Sequence, residues 1–276
     1  MTVQITTLIE NRAGEHHGLQ HEHGLSFFIE KDGSSILFDT GQSEKFIQNA
    51  KQLRLDLRSL NQVVLSHGHY DHSGGFRSLV EVTDNFILTI GRSFFDEKYG
   101  CENNSCEYLG TDFSEEFLQE KGITYQYTRQ QCTEILPGVF VITEFPRIHA
   151  DEVVNPRFMV RKEGALVPDL FEDEVLLAID TDPGLIILLG CSHPGMKNML
   201  DCATELTGRP LYGLLGGTHL VEADEDSLNL SLGYLKSTTL QVIGVSHCTG
   251  KNAINRLAAG EERFCRNHTG STLFFE

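Results

Sequence analysis

Val63-Val64-Leu65-Ser66-His67-Gly68-His69-Tyr70-Asp71-His72-Ser73-Gly74-Gly75 joins a short apolar run to a cluster of histidines, an aspartate and glycines. Its apolar run predicts a β-strand that stops at Ser66. Beyond it, His67, His69, Asp71 and His72 follow one another with the spacing His-x-His-x-Asp-His. Side chains released past the C-terminal end of a strand stand where open α/β sheets bind their ligands. Imidazole nitrogens and a carboxylate are donors for zinc and neighbouring divalent metals. Gly68, Gly74 and Gly75 let the backbone turn tightly enough for side chains close in sequence to converge on one small volume.

Three later segments repeat the pattern. A strand over 186–189 leads to Gly190-Cys191-Ser192-His193-Pro194-Gly195 and a helix from about Lys197. One over 211–215 leads to Gly216-Gly217-Thr218-His219 and a helix from about Asp226. One over 242–245 leads to Ser246-His247-Cys248-Thr249-Gly250 and a helix from about Asn252. Each strand ends in a histidine beside small residues. If the strands lie parallel, their C-terminal ends share one edge, and His67, His193, His219 and His247 meet there.

Elsewhere the pattern is layered α/β. Strands are expected over 3–9, 25–29, 35–39, 86–90 and 138–143, with helices over 44–53 and 76–80. A hairpin over 174–189 turns at Thr181-Asp182-Pro183-Gly184. Asp39-Thr40-Gly41 ends a strand in a tight turn. Residues 91–131 carry several aromatics, and Ser114-Glu115-Glu116 reads as a capped helix start with an acidic first turn. That region is either a lid or pocket wall, or an aromatic cluster packed beneath a loop. No low-complexity segment or linker separates domains, so a single unit over 1–276 is expected.

The formal charge of −17 opposes unaided binding to nucleic acid or to an anionic membrane. No apolar run reaches the length of a membrane span, and the first residues lack the basic and apolar regions of a signal peptide. These features suggest a soluble cytoplasmic protein acting on a small molecule. The seven cysteines are scattered without a disulfide framework, so most are expected as free thiols. Cys101 and Cys106, spaced more widely than a zinc knuckle, read as incidental.

His67, His69, Asp71 and His72 resemble the metal-binding motif of the metallo-β-lactamase superfamily. The resemblance implies an αββα sandwich of two similar halves, about 1–150 and 151–276, holding two divalent ions, zinc first, with manganese or iron also compatible. It implies that His67 and His69 bind one metal, that Asp71 and His72 bind the second, and that His247 completes the second site. It also implies that Asp39 supports a metal-bound histidine. Where the superfamily has a bridging aspartate after a glycine, this chain has Cys191 after Gly190, so His193 or Cys191 takes that part. Imidazole is preferred because it needs no deprotonated thiol. His149 lies where another ligand motif is expected but in a poor match, and His193 can serve in its place. Glu22-His23-Gly24-Leu25-Ser26, Phe38-Asp39-Thr40-Gly41, Gly-Cys-Ser-His-Pro-Gly, Gly-Gly-Thr-His-Leu and His-Cys-Thr-Gly resemble one branch of the superfamily. That branch is named for a dihydropterin ribofuranosyl-aminobenzene phosphate synthase.

The leading expectation is a metal-dependent hydrolase that uses metal-activated water on an ester, phosphoester or lactone. Asp71 would bind metal and orient the nucleophile. His219 and His23 would line the pocket, His219 either as a ligand or as a donor of a proton or hydrogen bond. Arg147 is a candidate contact for an anionic or phosphorylated substrate. The alternatives are a transferase of the pterin-synthase type and a non-catalytic metal-containing binder or sensor.

Overall fold

A computed structural model describes residues 2–275. In chain order the first elements are β1 (Val3–Ile9), β2 (Ser26–Lys31), β3 (Ser34–Phe38), α1 (Lys45–Gln52), β4 (Leu60–Leu65), and the short helices α2 (Tyr70–Ser73) and α3 (Phe76–Val80). Then come β5 (Ile87–Ile90), β6 (Lys98–Glu102), β7 (Ser105–Tyr108), α4 (Glu115–Glu120), β8 (Thr124–Tyr127), β9 (Cys132–Leu136) and β10 (Val139–Ile142). They are followed by β11 (Phe158–Lys162), β12 (Ala165–Pro168), β13 (Leu176–Thr181), β14 (Gly184–Leu189) and α5 (Met196–Thr207). The chain closes with β15 (Leu211–Gly217), α6 (Glu225–Ser237), β16 (Val242–Ser246), α7 (Lys251–Gly260) and β17 (Thr272–Phe275).

A seven-stranded sheet has the order β17-β1-β2-β3-β4-β5-β8, and a six-stranded sheet the order β16-β15-β14-β13-β10-β9. Alternation along the strands explains why they pack face to face. In β2, Phe27 points to the inner core and Phe28 to the outer one; in β14, Ile186 and Leu188 point in while Leu185, Ile187 and Leu189 point out. The inner core joins Phe27, Ile36, Phe38 and Val64 to Val141, Leu177, Ile186 and Leu188. Outside the first sheet, α1 and α3 contribute Phe46, Ala50, Phe76 and Leu79. Outside the second, α5, α6 and α7 contribute Met199, Leu200, Leu232, Leu235 and Leu257. The result is the expected αββα sandwich.

Two parallel runs orient the site. β3, β4 and β5 are parallel in one sheet, and β14, β15 and β16 in the other. Their C-terminal ends meet where Gly190 passes Ser66. A Cβ on Gly190 would lie 2.2 Å from Ser66 Oγ, so only glycine permits this approach. No helix among the described residues is long and apolar enough to cross a membrane.

A third sheet, β12-β11-β6-β7, was not expected. Its hairpin β6–β7 places Cys101 opposite Cys106, and the two are joined by a disulfide. They are therefore not incidental thiols; they cross-link the hairpin near its turn, while five other cysteines are free. Residues 91–131 pack in two places. Phe94, Phe95 and Phe113 cluster with Phe76 and Phe117 outside the first sheet. The hairpin instead lies against the histidine loop, where Leu109 O accepts from Tyr70 N at 2.9 Å.

Candidate metal centre

The loop after β4 is shaped by Asp39, which stands at the end of the neighbouring strand in the left-handed region at φ 60°. Its Oδ1 accepts from Ser66 N at 2.7 Å, and its Oδ2 accepts from Ser66 Oγ at 2.8 Å and from His72 Nδ1 at 2.6 Å. His72 therefore keeps Nε2 free, and that atom lies 3.2 Å from Cys191 Sγ and 3.2 Å from His247 Nε2. Ser66 Oγ, its hydrogen spent on Asp39, accepts from His67 Nδ1 at 2.9 Å. That leaves His67 Nε2 facing His69 Nδ1 at 3.1 Å.

His247 is held from the first strand. Its backbone N donates to Glu10 Oε1 at 2.7 Å, and its Nδ1 lies 2.9 Å from Asn11 Oδ1. Nε2 is left 3.3 Å from Asp71 Oδ2. The same carboxylate oxygen is 3.2 Å from Nε2 of His23, a half-exposed residue.

His193 arrives on the loop after β14. Its ring stacks on Phe171 at 3.7 Å, and its Nε2 is buried without a hydrogen-bond partner. Its loop is gathered by Glu174, whose Oε1 accepts from Cys191 N (3.2 Å) and Ser192 N (2.5 Å) and whose Oε2 accepts from His193 N (2.8 Å). His219, in the left-handed region at φ 51°, has its ring centroid 4.3 Å from that of His193. Phe158 covers this corner and contacts the rings of His69, His193 and His219.

The donors fall into two groups. His67, His69 and His193 form one and His23, Asp71 and His247 another, the donor atoms of each lying within 4.8 Å of one another; His72 Nε2, 3.7 Å from Asp71 Oδ2 and 3.2 Å from His247 Nε2, joins the second. Cys191 stands between them, within the same limit of His67 and His72. Imidazoles with one nitrogen fixed and the other directed inward, a buried carboxylate and the orphaned Nε2 of His193 fit a divalent metal in chemistry and in count.

The electrostatics agree. Burial holds His67, His69 and His193 well below their usual pKa and lowers His247 to about 4, so their unprotonated, ligating forms prevail at neutral pH. Burial also opposes charge on His72, but Asp39 and Asp71 outweigh it and push that pKa up to about 9. Burial works to raise Asp71, yet His72, His23 and His247 hold it well below the carboxylate range. At this end of the site the carboxylates of Asp39 and Asp71 both face His72. Burial pushes the Cys191 thiol well up.

Two residues singled out in the sequence lie elsewhere. Arg147 donates to the backbone carbonyls of His193 (3.3 Å) and Leu170 (2.6 Å), and it lines a different cavity, with Arg92, Glu144 and Glu172. His149 bonds to Asp201 at 2.7 Å. Asp173, Glu174, Asn11, Glu10, Phe158 and Phe171 were not anticipated. The one signal available was the acidic pair Asp173-Glu174 directly before an apolar strand.

The fold, the donor loop after β4 and the four strand-end histidines define a class. Residues 20–89 match the family described as the metallo-beta-lactamase superfamily, and the chain belongs to it. The chain is 32% identical to the 7,8-dihydropterin-6-methyl-4-(beta-D-ribofuranosyl)-aminobenzene-5'-phosphate synthase of Methanocaldococcus jannaschii, with 99% of this chain and 97% of that protein aligned. An uncharacterized protein of the same organism is 29% identical, with 98% of this chain and 99% of that protein aligned. Among solved structures, one described as a metal-dependent hydrolase of the β-lactamase superfamily superposes with a TM-score of 0.85 at 28% identity, covering 98% of each chain.

Proposed function

We propose that the chain is a metal-dependent hydrolase of a small-molecule ester, phosphoester or lactone. The observation that carries this reading is the convergence of donors from both sheets, with His193 Nε2 buried and unpartnered, beside a cavity of about 510 Å³ lined by His193, His219 and Phe158. The size suits a small ligand. His67, His69 and His193 would hold one divalent ion, zinc first among the candidates, and Asp71, His72 and His247 a second, with Cys191 between them. Such ions supply Lewis-acid polarisation of the scissile group and acidify water.

The chain's own residues do the rest. Asp39 and Asn11 fix the rings of His72 and His247. Asp71 orients the attacking water through its inward oxygen. His219, on the cavity wall, holds a proton or hydrogen bond at the leaving atom. Phe158 and Phe171, both buried, exclude bulk solvent.

A second reading, a synthase joining a pterin to a ribofuranosyl-aminobenzene phosphate, is favoured by the whole-length similarity to the Methanocaldococcus jannaschii enzyme. Metal analysis with a panel of phosphodiester, phosphomonoester, thioester and lactone substrates, before and after chelation, separates the readings. Chelator-sensitive hydrolysis lost in His69→Ala supports the hydrolase. Bound metal with no hydrolysis, but with condensation of the pterin and aminobenzene substrates, supports the synthase. Absence of metal binding overturns both.

A further inference from the structure

We infer that Asp173 and Glu174, on the linker between β12 and β13, are positioning residues for one of the two proposed metal groups and not for the other. The inference rests on the two-group reading above. Consecutive residues here reach opposite loops. Asp173 Oδ2 accepts from Gly68 N at 2.8 Å, and Gly68 lies between His67 and His69. Glu174 accepts from the three successive backbone N–H groups of Cys191, Ser192 and His193. Val175 N then donates to Ser66 O at 2.8 Å. Two residues before Asp173, the Phe171 ring lies flat against His193, with an interplanar angle of 9°.

The linker thus bonds at Gly68, between His67 and His69, and at His193 itself, whereas Asp71 and His72 lie further on, in α2. The supports of the other group, Asp39 for His72 and Asn11 and Glu10 for His247, lie on different elements. Asp173 is itself fixed: Lys98 Nζ, nearly devoid of solvent exposure, donates to it at 2.8 Å and to Asp169 at 2.8 Å. The task on Glu174 needs two side-chain oxygens that accept, because all three of its partners are backbone donors. In a Glu174→Gln side chain one acceptor becomes an NH2 group, so in either orientation a donor faces a backbone donor. The loop must then move to relieve it.

The test is metal stoichiometry and affinity of Glu174→Gln and Asp173→Asn, read by equilibrium titration with cobalt(II) and its visible ligand-field spectrum. Wild type is expected to take two ions. Each variant is expected to keep one with unchanged affinity and to bind the other about 10- to 100-fold more weakly. In a double-mutant cycle with His193→Ala, Glu174→Gln should add nothing further to the loss at that site. Two ions bound as in wild type, or equal weakening of both, overturns the assignment. If Glu174→Gln does not fold, Asp173→Asn decides by the same readouts. A wild type that binds no metal overturns the metal reading itself, a different failure from a wild type with two ions and indifferent variants.

Discussion

His72 Nδ1 lies 2.6 Å from Asp39 Oδ2, and neither side chain has any solvent exposure. Asp39 also takes both donors of Ser66, which in turn fixes His67. One carboxylate therefore sets the inward nitrogen of two rings. Asp39→Asn puts an NH2 group among donors, and metal affinity should fall about 10- to 100-fold. Competition titration against a chelator of known affinity measures this. An unchanged affinity would remove Asp39 from the account.

The buried Lys98 compensates two buried carboxylates, Asp169 and Asp173. Lys98→Met leaves them facing each other without a cation. The expected cost is about 3–5 kcal/mol of unfolding free energy, the usual penalty for breaking a buried pair from one side. Urea denaturation with the slope held equal provides the number. A loss below about 1 kcal/mol would mean the triad relaxes into water.

Phe158 packs on His69, His193 and His219, and the Arg157 guanidinium lies 4.1 Å from its ring centroid. Arg157 reaches on to Glu222 at 2.8 Å. Phe158→Leu keeps an apolar filler but shortens the cover over the histidines. Metal should pass to a coloured chelator several-fold faster than from wild type at equal affinity. Identical release rates would show that ions leave by another side.

Arg263 donates to both oxygens of Glu261, each at 2.8 Å, and to the carbonyls of Leu235, Thr238 and Leu240. The hydrogen bonds to Arg263 lower the Glu261 pKa to about 2. A depressed carboxylate contributes stability above its unfolded pKa and loses it as pH falls through the folded value. Glu261→Gln should therefore cost about 1 kcal/mol or less at pH 7. The gap to wild type should close as pH drops below about 4.5. Paired urea melts across that range check the sign; a gap that widens on acidification would refute it.

The layers were legible because their strands carry regular apolar patterns. β14 is a continuous apolar run and β4 ends in one, Val63–Leu65, and each stops abruptly at small residues and histidine. The third sheet was not, because every residue of β7 is exposed and β6 buries only Lys98. Strands without an apolar face have no hydrophobic period to read. The histidines could be grouped from their strand-end positions. Glu174 could not, since adjacent acids normally mark a solvated surface, and only the passage of the linker between two loops buries this pair. The partners of Arg147 were not legible either: it follows β10, and its guanidinium turns to the main-chain oxygens of His193 and Leu170.

His67, His69, Asp71 and His72 leave the seven-stranded sheet, whereas Cys191, His193 and His247 leave the six-stranded one. A cation gripped by donors from both is a reversible cross-link between the two layers, one whose strength the surroundings can dial. For a single site that only the folded chain can offer, each tenfold rise in free metal above Kd adds about 1.4 kcal/mol to the work of unfolding. The resistance of this protein to heat, denaturant and proteolysis then reports how much metal its surroundings supply.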